Sequence, residues 1–235
     1  MEIVKQETNL PAELDGAWGS EGISKEDILI PKILLMQAMS QLVTEKEIAE
    51  PGDIIVSTTE EVVGGKENPL IFVPLMSFKT WTISELVGAK YEFRDTIPMT
   101  PKNAADPLEF EENGVKYRRD KGLNFYVLLK KDLEAAAKGE GAVMPALLAF
   151  RRTSFTAGKK LASGIQMSSM MKKSAASSAY ALSSTKRKTD DHTYYVYDVA
   201  PSKDSKVSIE ELAVAKQWYD TLMSSQVKVD DSSDE

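Results

Sequence analysis

Residues 114–131 read GVKYRRDKGLNFYVLLKK. Leu123–Leu129 is rich in aromatic and branched side chains and is bounded by Gly122 and by the Lys130-Lys131 pair, the composition of a strand. Val115–Arg119 reads as a shorter strand before it. Working outward toward the N-terminus, Pro98, Pro101 and Pro107 make residues 95–114 an excursion or a long hairpin connection. Leu70–Val73 and Phe78–Ile83 read as two strands interrupted by Pro74. Gly64-Gly65 and Pro51-Gly52 mark turns around a strand at Asp53–Ser57, and Ile28–Met36 reads as a buried strand or strand–turn element.

Toward the C-terminus, Asp132–Lys138 favours a helical turn and Met144–Phe150 a core strand. Ser154–Ile165 predicts a helix, with Gly158 and Gly164 each costing it about 1 kcal/mol. Residues 167–179, small, polar and Met-rich, predict a mobile loop or a loosely packed helix. Tyr180–Ser183 and Thr193–Val199 are strands. Ser208-Ile-Glu-Glu is a capping-box pattern that opens a C-terminal helix. The class is therefore mainly β with helical additions (α+β), a barrel or sandwich core. Three segments are expected: a flexible N-terminal arm at 1–22, one domain at 23–224 and a disordered acidic tail at 225–235.

Composition narrows the chemistry. The 235 residues include no cysteine and one histidine, which removes disulfide scaffolds, thiol nucleophiles and Cys- or His-rich metal centres. No apolar run reaches the roughly 18 residues of a membrane span, and the N-terminus lacks a signal-peptide pattern. A cytoplasmic protein with no cofactor and no membrane association is expected. His192 beside Asp190-Asp191 has no Gly-x-Ser-x-Gly elbow to work with, so a hairpin-turn role is expected of it. AGKK at 157–160 lacks the glycine and the Ser/Thr of a P-loop. The acidic pairs Glu60-Glu61, Glu111-Glu112 and Glu210-Glu211 read as solvated surface, since adjacent residues do not converge on one point. No catalytic residue and no metal ligand is assigned.

The net charge of −7 is segregated along the chain. Residues 1–113 hold 9 Lys/Arg and 21 Asp/Glu, residues 114–188 hold 16 and 4, and residues 189–235 hold 4 and 11. Within the basic stretch, cations interleave with aromatics, the mixture that holds single-stranded nucleic acid: cations track phosphates and rings accept unpaired bases. The phosphate candidates are Arg118, Arg119, Arg151, Arg152, Lys159, Lys160, Lys186, Arg187 and Lys188. The stacking candidates are Tyr117, Tyr180, Tyr195 and Tyr197, with Tyr195 and Tyr197 on one face of their strand and Tyr194 on the other. Phe125, Phe150 and Phe155 read as core. Opposed to this stands neutralisation of the same cations by the acidic first half.

The order of segments resembles the phage-encoded single-stranded DNA-binding proteins of replication and recombination modules. The residues that carry the likeness are DILIPKILLMQAMS (27–40), PGDIIVSTTEE (51–61), VPLMSFKTW (73–81) and PALLAFRRTSFTAGKKLASGI (145–165), followed by an aromatic strand and an acidic C-terminus. The resemblance implies an OB-like barrel that coats single strands in an infected bacterial host. It also implies a tail, with Asp230, Asp231, Asp234 and Glu235, that contacts replication or recombination proteins. The expected function is thus non-enzymatic, sequence-independent single-stranded DNA binding. Two alternatives stay open: an interaction or inhibitor module that uses the acidic first half, and a metal-dependent nucleic-acid enzyme.

Overall fold

The computed structural model describes residues 29–189, 192–203 and 206–224. The expected N-terminal arm and the acidic tail, with its four candidate residues, lie outside them. Ten strands form one mixed sheet: β1 (Lys32–Leu35), β2 (Ile54–Val56), β3 (Val62–Gly64), β4 (Leu70–Val87), β5 (Lys90–Pro98), β6 (Glu109–Glu112), β7 (Val115–Leu129), β8 (Ala146–Arg151), β9 (Tyr180–Lys188) and β10 (Thr193–Pro201). Four helices accompany them: a single turn α1 (Gln41–Thr44), then α2 (Lys130–Ala137), α3 (Phe155–Met170) and α4 (Ile209–Ser224).

The sheet order is β10-β9-β4-β7-β8-β1-β2-β3, with β5 added beside β4 and β6 beside β7. All pairings are antiparallel except β1 with β8. The sheet is open, because among the described residues no backbone ladder joins β10 to another strand besides β9. Side chains span the gap from β10 to the β1 end instead. Gln37 accepts from the Tyr195 N–H at 2.9 Å and donates to its carbonyl at 3.0 Å. The Tyr197 hydroxyl donates to the Ile33 carbonyl at 3.0 Å.

The two strands expected around Pro74 are one 18-residue strand. A register shift between Pro74 and Met76 absorbs the proline, and β9 pairs only with Leu70, Ile71 and Phe72, so no neighbour needs the missing N–H. Val115–Arg119 and Leu123–Leu129 likewise merge into β7. Long β4 and β7 pair from Phe72↔Leu129 to Glu85↔Tyr117. Their far halves carry β5 and β6 and form a four-stranded arm.

The apolar run in β7 follows from burial on both faces. Phe125 and Val127 point into one cluster with Ile54, Phe72, Phe150, Leu161 and Leu182, and α3 lies against it. Tyr126 and Leu128 point into a second cluster with Val73, Leu133, Ala215 and Leu222, closed by α2 and α4. The expected capping box forms: the Ser208 hydroxyl accepts from the Glu211 N–H at 3.2 Å, and the Glu211 carboxylate accepts from the Ser208 N–H at 2.7 Å. The same carboxylate holds the buried Lys130 ammonium at 2.7 Å, which ties α4 to α2.

α3 runs five residues past Ile165 and takes in Met167–Met170, the start of the stretch expected as a loop or a loosely packed helix. Its glycines are packing sites. A Cβ on Gly158 would lie 2.7 Å from the Phe150 Cβ, and one on Gly164 would lie 2.7 Å from the Tyr180 hydroxyl. Close approach to the sheet thus offsets their poor helix propensity.

Burial raises the pKa of Tyr126, Tyr180 and Tyr197, with a hydrogen bond to Ser168 opposing it at Tyr180. The unfolded chain ionises near pH 10 while the folded rings stay neutral, so stability is complete below that pH and falls above it. Each retained proton contributes about 1.4 kcal/mol per pH unit to the loss. In an alkaline titration these three phenols should gain their tyrosinate absorbance together with the loss of far-ultraviolet circular dichroism. Ionisation of all eight tyrosines with the fold intact would contradict the packing.

Candidate functional site

The turn from Arg151 to Phe155 leads from the last residue of β8 into α3. Arg152 sits there at φ 46°, left-handed backbone that costs a residue with a Cβ about 1 kcal/mol or more and that concentrates at functional sites. Clefts lie on both sides of the turn. The first, about 520 Å³, is lined by Arg118, Arg119, Lys121, Arg152 and Phe155 together with Asp106, Glu109 and Asp120. The second, about 430 Å³, is lined by Thr153, Thr156, Lys160, Arg187, Tyr194 and Asp198. Because Arg152 and Phe155 face one cleft and Thr153 and Thr156 the other, the two clefts adjoin along the turn.

The cations are gathered and paired at once. Asp120, on β7, holds the Arg152 Nε at 2.7 Å and the Arg118 Nη2 at 3.2 Å. Arg119 donates to the Pro107 carbonyl at 3.1 Å, lies 3.6 Å from Asp106 and covers the Phe110 ring at 3.9 Å. Lys160 pairs with Asp198 at 2.7 Å. Two guanidinium groups on one carboxylate leave net positive charge. Exposed pairs such as Lys160–Asp198 contribute only about 0–1 kcal/mol, so an incoming phosphate displaces them at little cost.

The remaining candidates separate. Arg151 is half-buried and lines a third cleft of about 230 Å³ with Lys32, Gln37 and Tyr195. Lys159 is exposed, 5.2 Å from the Phe155 ring. Lys186, Arg187 and Lys188 are exposed at the end of β9, opposite Tyr195, Tyr194 and Thr193. His192 closes that hairpin with its main chain: its carbonyl accepts from the Thr189 N–H and its N–H donates to the Thr189 hydroxyl.

The tyrosines redistribute. Tyr180 is buried against Phe72, and Tyr197 is buried with its ring edge-on to Phe150 at 5.6 Å. Both are core residues and present no open ring face. Their positions follow from alternation, since Tyr197 shares its strand face with core residue Val199. Tyr117 stacks on Phe110 at 5.0 Å. Tyr195 is half-buried over Gly52. Tyr194, set on the opposite face from Tyr195, joins Lys160 and Arg187 in the second cleft, which the buried Tyr197 also borders. Sequence reasoning passed over Tyr91 and Phe93 on β5, although the alternation KYEFRD at 90–95 carries the signal of a strand with aromatics on one side.

Among the described residues no three His, Asp or Glu side chains are placed to hold a metal ion, and no helix is long and apolar enough to cross a membrane. No curated protein and no solved structure matches the chain. The family model described as Pam3 phage gp34-like protein matches residues 5–228, nearly the whole sequence. By that match the chain belongs to the Pam3 phage gp34-like family.

Proposed function

We propose that this protein binds single-stranded DNA without reading its sequence, in support of phage replication or recombination. Phosphates would sit along the two adjoining clefts, and the side-chain bridge between β10 and β1 would make the curled sheet an OB-like barrel. The observation that carries the reading is the sharing of Asp120 by Arg118 and Arg152 beside Arg119 and Lys121, at a backbone-strained turn that continues toward Lys160 and Arg187. Such a band offers a phosphate chain successive cations and leaves bases uncontacted at their edges, which gives affinity without sequence preference. Phage family membership is in keeping with the role.

Fluorescence anisotropy with labelled oligonucleotides tests it. Single strands of different base composition should bind with similar affinity. Affinity should fall steeply with salt, because bound phosphates release counterions. Absence of binding at low salt would end the reading, and magnesium-dependent degradation of the oligonucleotide would replace it with a nuclease.

A further inference from the structure

We infer that Tyr91 and Phe93, on the outer strand of the arm, form a base-stacking face that makes the site prefer unpaired strands; this rests on the DNA-binding reading above. Directly opposed residues of neighbouring strands share a face. Phe93 opposes Ser84 of β4, and Ser84 opposes Arg118 of β7; Tyr91 opposes Leu86 one row further out. Between the aromatic strand and Arg118, Ser84 makes a low floor, buried beneath its larger neighbours. The rings stand above it, Tyr91 38% and Phe93 43% exposed.

Arg118 makes this face continuous with the first cleft. Its guanidinium lies 6.0 Å from the Tyr91 ring centroid, and it also reaches Asp120 and lines the cleft. A strand whose phosphates follow Arg118 and Arg152, the two guanidinium groups on Asp120, therefore passes the two rings. On the opposite face of the arm, Phe110 and Tyr117 are stacked on each other and Arg119 covers Phe110, so those rings are engaged within the protein.

Spacing supports an extended ligand. Positions i and i+2 on a strand are about 6.8 Å apart, about twice the 3.4 Å rise per base in a DNA strand. A stretched single strand can set neighbouring bases on the two rings. Duplex bases are stacked and paired already, so a duplex gains only the phosphate contacts. The cations thus supply affinity and the two rings supply the preference for single strands.

The full-length protein and its Tyr91→Ala, Phe93→Ala and double variants are titrated with labelled oligo-dT and with a duplex of equal length. Single-strand affinity should fall about 5-fold or more for each ring, with duplex affinity unchanged, so that the preference shrinks. A second variant, Phe93→Trp, reports the contact directly: oligo-dT should quench its added indole emission beyond any change among the three natural tryptophans. An unaltered single- to double-strand ratio, or no added quenching in Phe93→Trp, overturns this inference and leaves the rings to a protein contact. Wild-type protein that binds no oligonucleotide overturns the DNA-binding reading itself, and this face with it.

Discussion

Replacing Phe150 with alanine is expected to destabilise the protein by about 3–5 kcal/mol. The ring is fully buried, edge-on to Phe125 at 5.8 Å and to Tyr197 at 5.6 Å. It also fills the space that Gly158 leaves on α3. One side chain thus joins β7, β8, β10 and the helix that follows the strained turn. Its neighbours belong to a hydrogen-bonded sheet and cannot collapse into the hole, which puts the cost in the upper range for a core truncation. Urea denaturation reads the effect as a lower midpoint at unchanged slope. A loss under about 1 kcal/mol would mean that α3 is not seated on the sheet through this ring.

Reversing both charges in Arg151→Glu/Arg152→Glu should weaken single-strand binding at least tenfold (a rough figure) and equally for all base compositions, because phosphate contacts carry no sequence information. Log affinity plotted against log salt should become shallower by about 0.7 for each phosphate that the variant no longer neutralises. Arg152 carries the larger share. Its substitution by glutamate sets a second carboxylate beside Asp120, where the guanidinium now lies at 2.7 Å, and so repels phosphate as well as failing to attract it. Arg151 faces a different cleft, with Gln37 and Tyr195, and the single variants separate the two contributions. Affinity that is unchanged in the double variant would remove both residues from the phosphate-binding set. A change that depends on base composition would point to base contacts instead.

The strands were legible because their signals are local. Alternation in Thr193–Val199, the apolar run in Leu123–Leu129 and the Pro-Gly and Gly-Gly turns each act within a few residues. The capping box at Ser208 was legible for the same reason, since both of its bonds lie within one helical turn. Pro74 misled because its penalty depends on which neighbour needs the N–H, a property of the sheet order. Past Ile165 the sequence does not decide between a loop and a loosely packed helix, because Gly164 takes its value from Tyr180, which packs against it from another element.

At the candidate site, residue type and location were legible, but environment was not. Tyr180 and Tyr197 are as polar on paper as Tyr194, yet strand register turns them into the core and leaves Tyr194 beside Lys160 and Arg187. Tyr91 and Phe93 were passed over because they stand in the acidic half of the sequence. Pairing across β4 brings them to Arg118 of the basic half.

From sequence alone came a mainly β chain, its C-terminal helix cap, and a basic middle between two acidic flanks, because propensity, capping and charge count are fixed by residues near one another. Only the tertiary structure decided that the sheet stays open with side chains bridging β10 to β1, and which cations meet which carboxylates. Asp120 and Arg152 are separated by 32 positions and meet at 2.7 Å. Electrostatic energy depends on that distance in space, and the folded sheet sets it.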